Sequence, residues 1–223
     1  MIELGEFKLR DEQSVLEIRK RGLLVCTELL MSQAKSVRLA TLASECLAQE
    51  LQTHPKFNDF LTPEIITSLY KSAPLHDIGK VGVPDHILLK PGKLSEPELE
   101  EMKKHAQYGY DAINAAEKTM TGGDSFLFFA KQIALYHQEK WDGSGYPEGL
   151  AGEDIPIAAR LMAVADVYDA LISRRAYKEP FSHEKAVGII TQGRGSHFDP
   201  DMVDAFLTIS EAFLSIVNCQ CLC

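Results

Sequence analysis

The chain reads as a succession of apolar runs, most of them introduced by a helix-start signal. Thr62-Pro63-Glu64 has the form of an N-cap followed by proline at the first helical position, where the missing N–H costs nothing. Ser95-Glu96-Pro97-Glu98 is a capping-box pattern at the head of a long helix through Met102, Tyr108 and Ile113. Asp124 starts a helix through Phe128 and Ile133, and Ile155-Pro156 precedes an apolar stretch, Ala158 to Ile172, that reads as a buried helix. Ser182 caps another, and Asp199-Pro200 opens the last, through Phe206 and Phe213. No segment sustains alternation of period two, so the expectation is an all-α bundle with little or no sheet.

The first part of the chain differs. Leu9, Val15, Ile18, Leu23, Leu24 and Leu29 line one side of a long helix, with Arg19, Lys20 and Arg21 outside it. This predicts an N-terminal helical extension over residues 1–35, which dimerises, connects, or packs on its own domain. Residues 36–223 form the main domain. The Gly/Pro-rich stretches Val81 to Lys93 and Gly143 to Pro156 are loops within it rather than boundaries.

Composition narrows the picture. A hydrophobic share of 45% over 223 residues supports a substantial core. No run of about 18 apolar residues occurs, which excludes a membrane-spanning helix. Met1 to Arg10 carries Glu3 and Glu6 and lacks a basic start followed by an apolar stretch, so the expected location is the cytoplasm, without a signal peptide. A net charge of −9 argues against a nucleic-acid polymer as partner. It leaves room for a small anionic ligand, since metal ions and a few converging basic residues reverse a local field. Of five cysteines, Cys26 and Cys46 read as small packed hydrophobes, and Cys219, Cys221 and Cys223 as a frayed, reduced terminus.

The candidate chemistry lies in His76-Asp77, followed by a glycine and a lysine, then His105, His137 and Asp166. Each has an ordinary alternative: a satisfied helix histidine, or an aspartate tied to a backbone amide or an arginine. Together they are the ligand types of one binuclear site. Imidazole and carboxylate ligands suit iron, manganese, nickel or zinc, and ligand type does not choose among them. His54 and His183 read as surface groups, His86 follows Pro84-Asp85 without a role, and His197 reads as structural.

The segment His137-Gln138-Glu139-Lys140-Trp141-Asp142-Gly143-Ser144-Gly145-Tyr146-Pro147 resembles the GYP signature of the HD-GYP family, and His76 to Asp85 is similar to that family's HD motif. Ala165 to Leu171 and His197-Phe198-Asp199-Pro200 match in order as well, so the likeness runs from about Pro55 to Phe213. The resemblance implies an HD-domain helical bundle with a GYP loop. Its metal centre would cleave cyclic di-GMP to the linear dinucleotide or on to GMP, using two divalent ions, iron or manganese first and nickel or zinc as alternatives. It further implies metal ligation by His76, Asp77, His105, His137 and Asp166, with Asp77 bridging. One ion would then keep His105 and His137, the other His76 and Asp166. Lys80 would lie beside the centre, where an ammonium steadies a phosphate. Arg175 and Lys178 align with the family's phosphate-contacting basic pair, and a solvated loop is the alternative. Tyr146 either stacks on a guanine or closes the loop, which in the family is also tied to signalling partners.

One departure weighs against this. Family members carry a glutamate and a histidine, four residues apart, ahead of the HD pair, and counting back places those positions at Ser32 and Ser36. The usual His-His pair is reduced to His137-Gln138. Five good ligands remain, and three per metal with open positions is an accepted catalytic arrangement. Two classes therefore stand: a cyclic di-GMP phosphodiesterase, or a degenerate module that binds a cyclic dinucleotide or a signalling partner without turnover.

Overall fold

The computed structural model describes residues 37–118, 125–173 and 179–220. Among these, ten α-helices run in order: α1 (37–51), α2 (Pro63–Ser72), α3 (Asp85–Leu88), α4 (Glu96–Lys103), α5 (His105–Glu117), α6 (Ser125–Tyr136), α7 (Ile157–Ile172), α8 (His183–Gln192), α9 (Pro200–Thr208) and α10 (Ser210–Gln220). Short 3-10 turns at Ala73–Leu75 and Ile78–Gly82 flank the His76-Asp77 pair. The described residues hold no strand, only the isolated bridges Asp142–Ala151 and Arg194–Phe198. The fold is all-α, as expected.

The helix starts follow the local chemistry. Thr62 accepts the Ile65 N–H at 3.4 Å, Ser182 that of Lys185 at 3.3 Å, and Asp199 that of Asp201 at 2.9 Å. The Ser95 N–H donates to the Glu98 carboxylate at 2.7 Å, completing the capping box. The Asp124 start, Cys26, Cys221 and Cys223 lie outside the described residues, while Cys46 packs against the core and Cys219 falls within α10.

α7 is the central helix, and every residue from Ala158 to Ala165 on it is buried. Its buried residues share one core cluster with Leu47 and Leu51 of α1, Leu69 of α2, Phe129 and Ile133 of α6, and Ile190 of α8. Each such side chain contributes about 1.5–3 kcal/mol when fully buried. A smaller cluster of Ile113, Leu127, Ala130 and Ala134 joins α5 to α6.

Several sequence expectations need correction, among them the loop over Val81 to Lys93, which carries the short helix α3. The helix expected from Ser95 through Ile113 breaks at Lys104, whose N–H turns back to the Glu101 carbonyl. α4 buries none of its residues, whereas α5 buries His105, Ala106, Gly109 and Ile113. Packing therefore pulls only the second half inward. The helix expected from Pro200 through Phe213 likewise breaks at Ile209. A straight helix would hold Phe206 and Phe213 about 10 Å apart along its axis. The bend brings their rings to 5.0 Å, edge to face, with both against Tyr168. Finally, His183 is half-buried rather than on the surface, with its Nδ1 2.8 Å from the Tyr168 hydroxyl.

Glycine places the HD turn. A Cβ on Gly79 would lie 1.9 Å from the His105 carbonyl oxygen and 2.3 Å from the Gly109 amide nitrogen. Only a bare backbone lets the 3-10 turn press against α5 this closely, and that contact sets His76 and Asp77 beside His105.

Candidate metal centre

Three histidines share one local geometry. Each follows the last turn of a helical stretch and donates its Nδ1–H to that turn's carbonyls: His76 to Ala73 at 2.8 Å, His105 to Met102 at 2.8 Å, and His137 to Ile133 and Ala134 at 2.9 and 3.2 Å. A carbonyl only accepts, so the proton sits on Nδ1 and Nε2 is left as a lone pair in each neutral ring. The same bonds satisfy carbonyls that a helix end leaves open. All three side chains are buried.

The Nε2 atoms converge on Asp77. Its Oδ1 lies 3.5 Å from His105 Nε2 and 3.7 Å from His137 Nε2, and those nitrogens are 3.5 Å apart. Oδ1 is buried without a hydrogen-bond partner. A buried carboxylate oxygen facing two lone pairs is costly unless a cation stands among them. Asp77, His105 and His137 present their ligand atoms within 4.8 Å of one another, a spacing that suits a metal ion. The other oxygen, Oδ2, lies 3.3 Å from His76 Nε2 and 2.5 Å from Lys80 Nζ. His76 Nε2 is also 3.8 Å from Asp166 Oδ1. Asp166 is half-buried on α7, where a fully buried position was expected, and its carboxylate faces this turn. Of the five residues singled out as ligands, His105 and His137 thus face one oxygen of Asp77 and His76 the other, with Asp166 behind His76.

Electrostatics divides the imidazoles. Burial drives His137 down to about 3 against the pull of Asp77, and burial also lowers His105. Burial opposes charge on His76 too, but Asp77 beside it and Asp166 behind it carry that ring up to about 9. Burial pushes the Asp77 carboxyl up, but the charges of His76 and Lys80 outweigh it and hold its pKa well below the usual carboxylate range.

The loop after α6 covers one side. Tyr146 is half-buried, its ring edge-on to His105 with centroids 6.3 Å apart, and Lys103 Nζ sits 5.6 Å from its ring centroid. Burial, and then the Asp77 and Asp166 charges, raise the Tyr146 phenol, so it stays protonated. The Tyr146 N–H donates to the Gln138 carbonyl at 3.2 Å. The ring of Trp141, the chain's single tryptophan, has the cations of Lys56 and Arg160 at 5.9 and 5.8 Å from its centroid, and the Trp141 backbone N–H donates to the His197 carbonyl. His197 stacks on Phe198 at 4.2 Å, a structural place, and His54 and His86 are exposed. Arg175, Lys178, Ser32, Ser36 and the extension over residues 1–35 lie outside the described residues.

Sequence reasoning missed two buried charged groups. Arg160 on α7 pairs with Asp199 at 2.7 Å and ties α7 to the start of α9. Glu139, two residues after His137, is buried and accepts three backbone N–H groups from residues 148–150. Its one sequence signal is an acid placed directly before a Gly/Pro-rich loop.

Comparison with known proteins agrees with this geometry. A family model described as HD domain matches residues 26–202. The chain is 59% identical over 172 residues to a probable cyclic di-GMP phosphodiesterase of Vibrio cholerae, covering 77% of this chain and 39% of that protein. It is 46% identical over 147 residues to the cyclic di-GMP phosphodiesterase response regulator RpfG of Xanthomonas campestris, covering 66% and 37%. A 3'3'-cGAMP-specific phosphodiesterase 2 of Vibrio cholerae is 44% identical over 145 residues, covering 65% and 27%. The chain therefore spans well under half the length of these relatives. Among the described residues no helix is long and apolar enough to cross a membrane.

Proposed function

This chain belongs to the HD-domain family, in its HD-GYP branch, and on that premise we propose that it is a metal-dependent phosphodiesterase that hydrolyses cyclic di-GMP to linear pGpG or on to GMP. The observation that carries the reading is the buried, unpartnered Oδ1 of Asp77, faced by imidazole lone pairs whose tautomers are fixed by backbone carbonyls. Such outer bonds orient histidine ligands and raise their basicity. Two ions would find donors here: His105 and His137 would hold one and His76 and Asp166 the other, with Asp77 shared between them. Nitrogen and oxygen donors suit iron or manganese, with nickel or zinc as alternatives. Bound there, the ions would supply an acidified water and neutralise phosphodiester oxygens.

The chain's own groups do the remaining work. Lys80, held against Asp77 Oδ2, offers an ammonium at the mouth of the site to the phosphate or the leaving oxygen. Tyr146 presents a protonated phenol and an aromatic edge to the ligand. Arg175 and Lys178 would take the other phosphate, a task that suits the planar fork of arginine. The leucine-lined extension over residues 1–35 would pair two copies of the chain, and the GYP loop would dock a signalling partner.

Gln138 supports a second reading. A neutral amide stands where the family usually has a histidine ligand. A centre short of donors would bind a cyclic dinucleotide without cleaving it. Incubation of the metal-loaded protein with cyclic di-GMP, followed by chromatography of the products, separates the two. The enzyme reading expects pGpG or GMP that disappears with chelator. Tight binding with intact ligand would replace it with the binding module.

A further inference from the structure

The Glu139 carboxylate is only 2% exposed, and its hydrogen-bond partners among the described residues are backbone amides. Its Oε1 accepts the N–H groups of Glu148 at 2.7 Å and Gly149 at 3.1 Å, and its Oε2 that of Leu150 at 3.1 Å. Three converging amides form an anion cradle within one chain, and bonds to a charged acceptor are the stronger kind. The loop's near end is folded back on the same residue. A Cβ on Gly145 would lie 2.5 Å from Glu139 Cα and 2.3 Å from the Lys140 nitrogen. Tyr146, next in sequence, donates its N–H to Gln138, the residue before Glu139. The segment from Gly145 to Leu150 is therefore wound around Glu139, with Tyr146 on the side facing His105.

We propose that Glu139 is a positioning residue for the dinucleotide: its buried carboxylate holds the loop so that Tyr146 stands over the His105 side of the centre. The proposal rests on Tyr146 being a substrate contact, as read above. The residues on either side of this segment are anchored separately, Trp141 and Asp142 to the His197 and Ser196 carbonyls and the Gly152 N–H to the Trp141 carbonyl. Loss of the Glu139 bonds would then release residues 145–150 without dismantling the bundle.

Glu139→Gln tests this. The amide retains one acceptor oxygen and turns a donor toward amides that also donate, so the cradle fails while side-chain size is kept. With the full chain and cyclic di-GMP, the expected result is unchanged metal content, a KM raised on the order of tenfold, and a kcat within about twofold. Amide exchange should accelerate at residues 148–150 and stay the same in α6 and α7. Glu139→Asp, which keeps the charge but retracts it by one methylene, should fall between. In a double variant with Tyr146→Ala, Glu139→Gln should add little to the effect of Tyr146→Ala alone, because one residue acts through the other. Additive losses, a fall in kcat together with metal content, or unchanged exchange at 148–150 would each overturn the proposal. Failure of the parent reading looks different: the wild type neither binds nor cleaves cyclic di-GMP. Amide exchange then still decides whether Glu139 holds the loop, unchanged exchange overturning that, while positioning for the dinucleotide falls with the parent reading.

Discussion

The Nε2 atoms of His105 and His137 stand 3.5 Å apart, both turned toward the same oxygen of Asp77. Neither nitrogen carries a proton, because each ring has committed its proton to a carbonyl on the other side. Two lone pairs and a carboxylate oxygen repel at this distance in a buried place. A divalent cation would turn that repulsion into coordination, and the predictions below follow from this.

Asp77→Ala is expected to be the most damaging ligand change. The carboxylate meets His76 through one oxygen and His105 and His137 through the other, so its removal would cost both ions of a binuclear centre. Hydrolysis of cyclic di-GMP should fall by more than about a hundredfold, and metal retention after gel filtration should fall with it. Retention of the full complement of metal would rule out bridging.

Metal binding should release a proton. In the metal-free protein His76 titrates near 9, above its ordinary 6.5, because Asp77 outweighs the burial that opposes its charge. The imidazolium–Asp77 pair therefore stabilises the metal-free fold fully below about pH 6.5, and that stabilisation is lost as pH rises through about 9. A metal needs the neutral ring, so apparent affinity at this position should climb between those limits. His105 and His137, lowered by burial, are already neutral at pH 7.5 and release nothing. Calorimetric titration in two buffers of different ionisation heat should show about one proton released, all from His76. No buffer dependence would contradict the assignment.

Gly79→Ala should destabilise the fold by at least about 2–3 kcal/mol, since the new carbon meets backbone of α5 that cannot give way. For a domain of this size that is a fall in Tm of about 5–10 °C. Thermal unfolding followed by circular dichroism checks it. A wild-type Tm would mean that the turn does not press on α5.

If Ser32 and Ser36 hold the vacated ligand positions, the variant Ser32→Glu, Ser36→His, Gln138→His should bind more metal than the wild type. Residues four apart share one face of a helix, so neither serine change needs a backbone shift. An unchanged metal count in a folded triple variant would sink that register.

What could be read in advance was local. The Ser95–Glu98 box, the Thr62 and Ser182 caps and the motif order around His76 and His137 involve neighbours in sequence, and they stand as read. The breaks at Lys104 and Ile209 were not legible, because packing against α6 and Tyr168 decides them and no local residue announces them. Glu139 was hidden for a similar reason. Its partners lie nine to eleven residues ahead, and they are amides that any sequence would supply.

The most direct measurement is elemental analysis of the full chain purified without oxygen and freed of loosely bound ions. The account predicts about two transition-metal ions per chain, as a binuclear centre requires. Folded wild-type protein carrying no more transition metal than Asp77→Ala would contradict it.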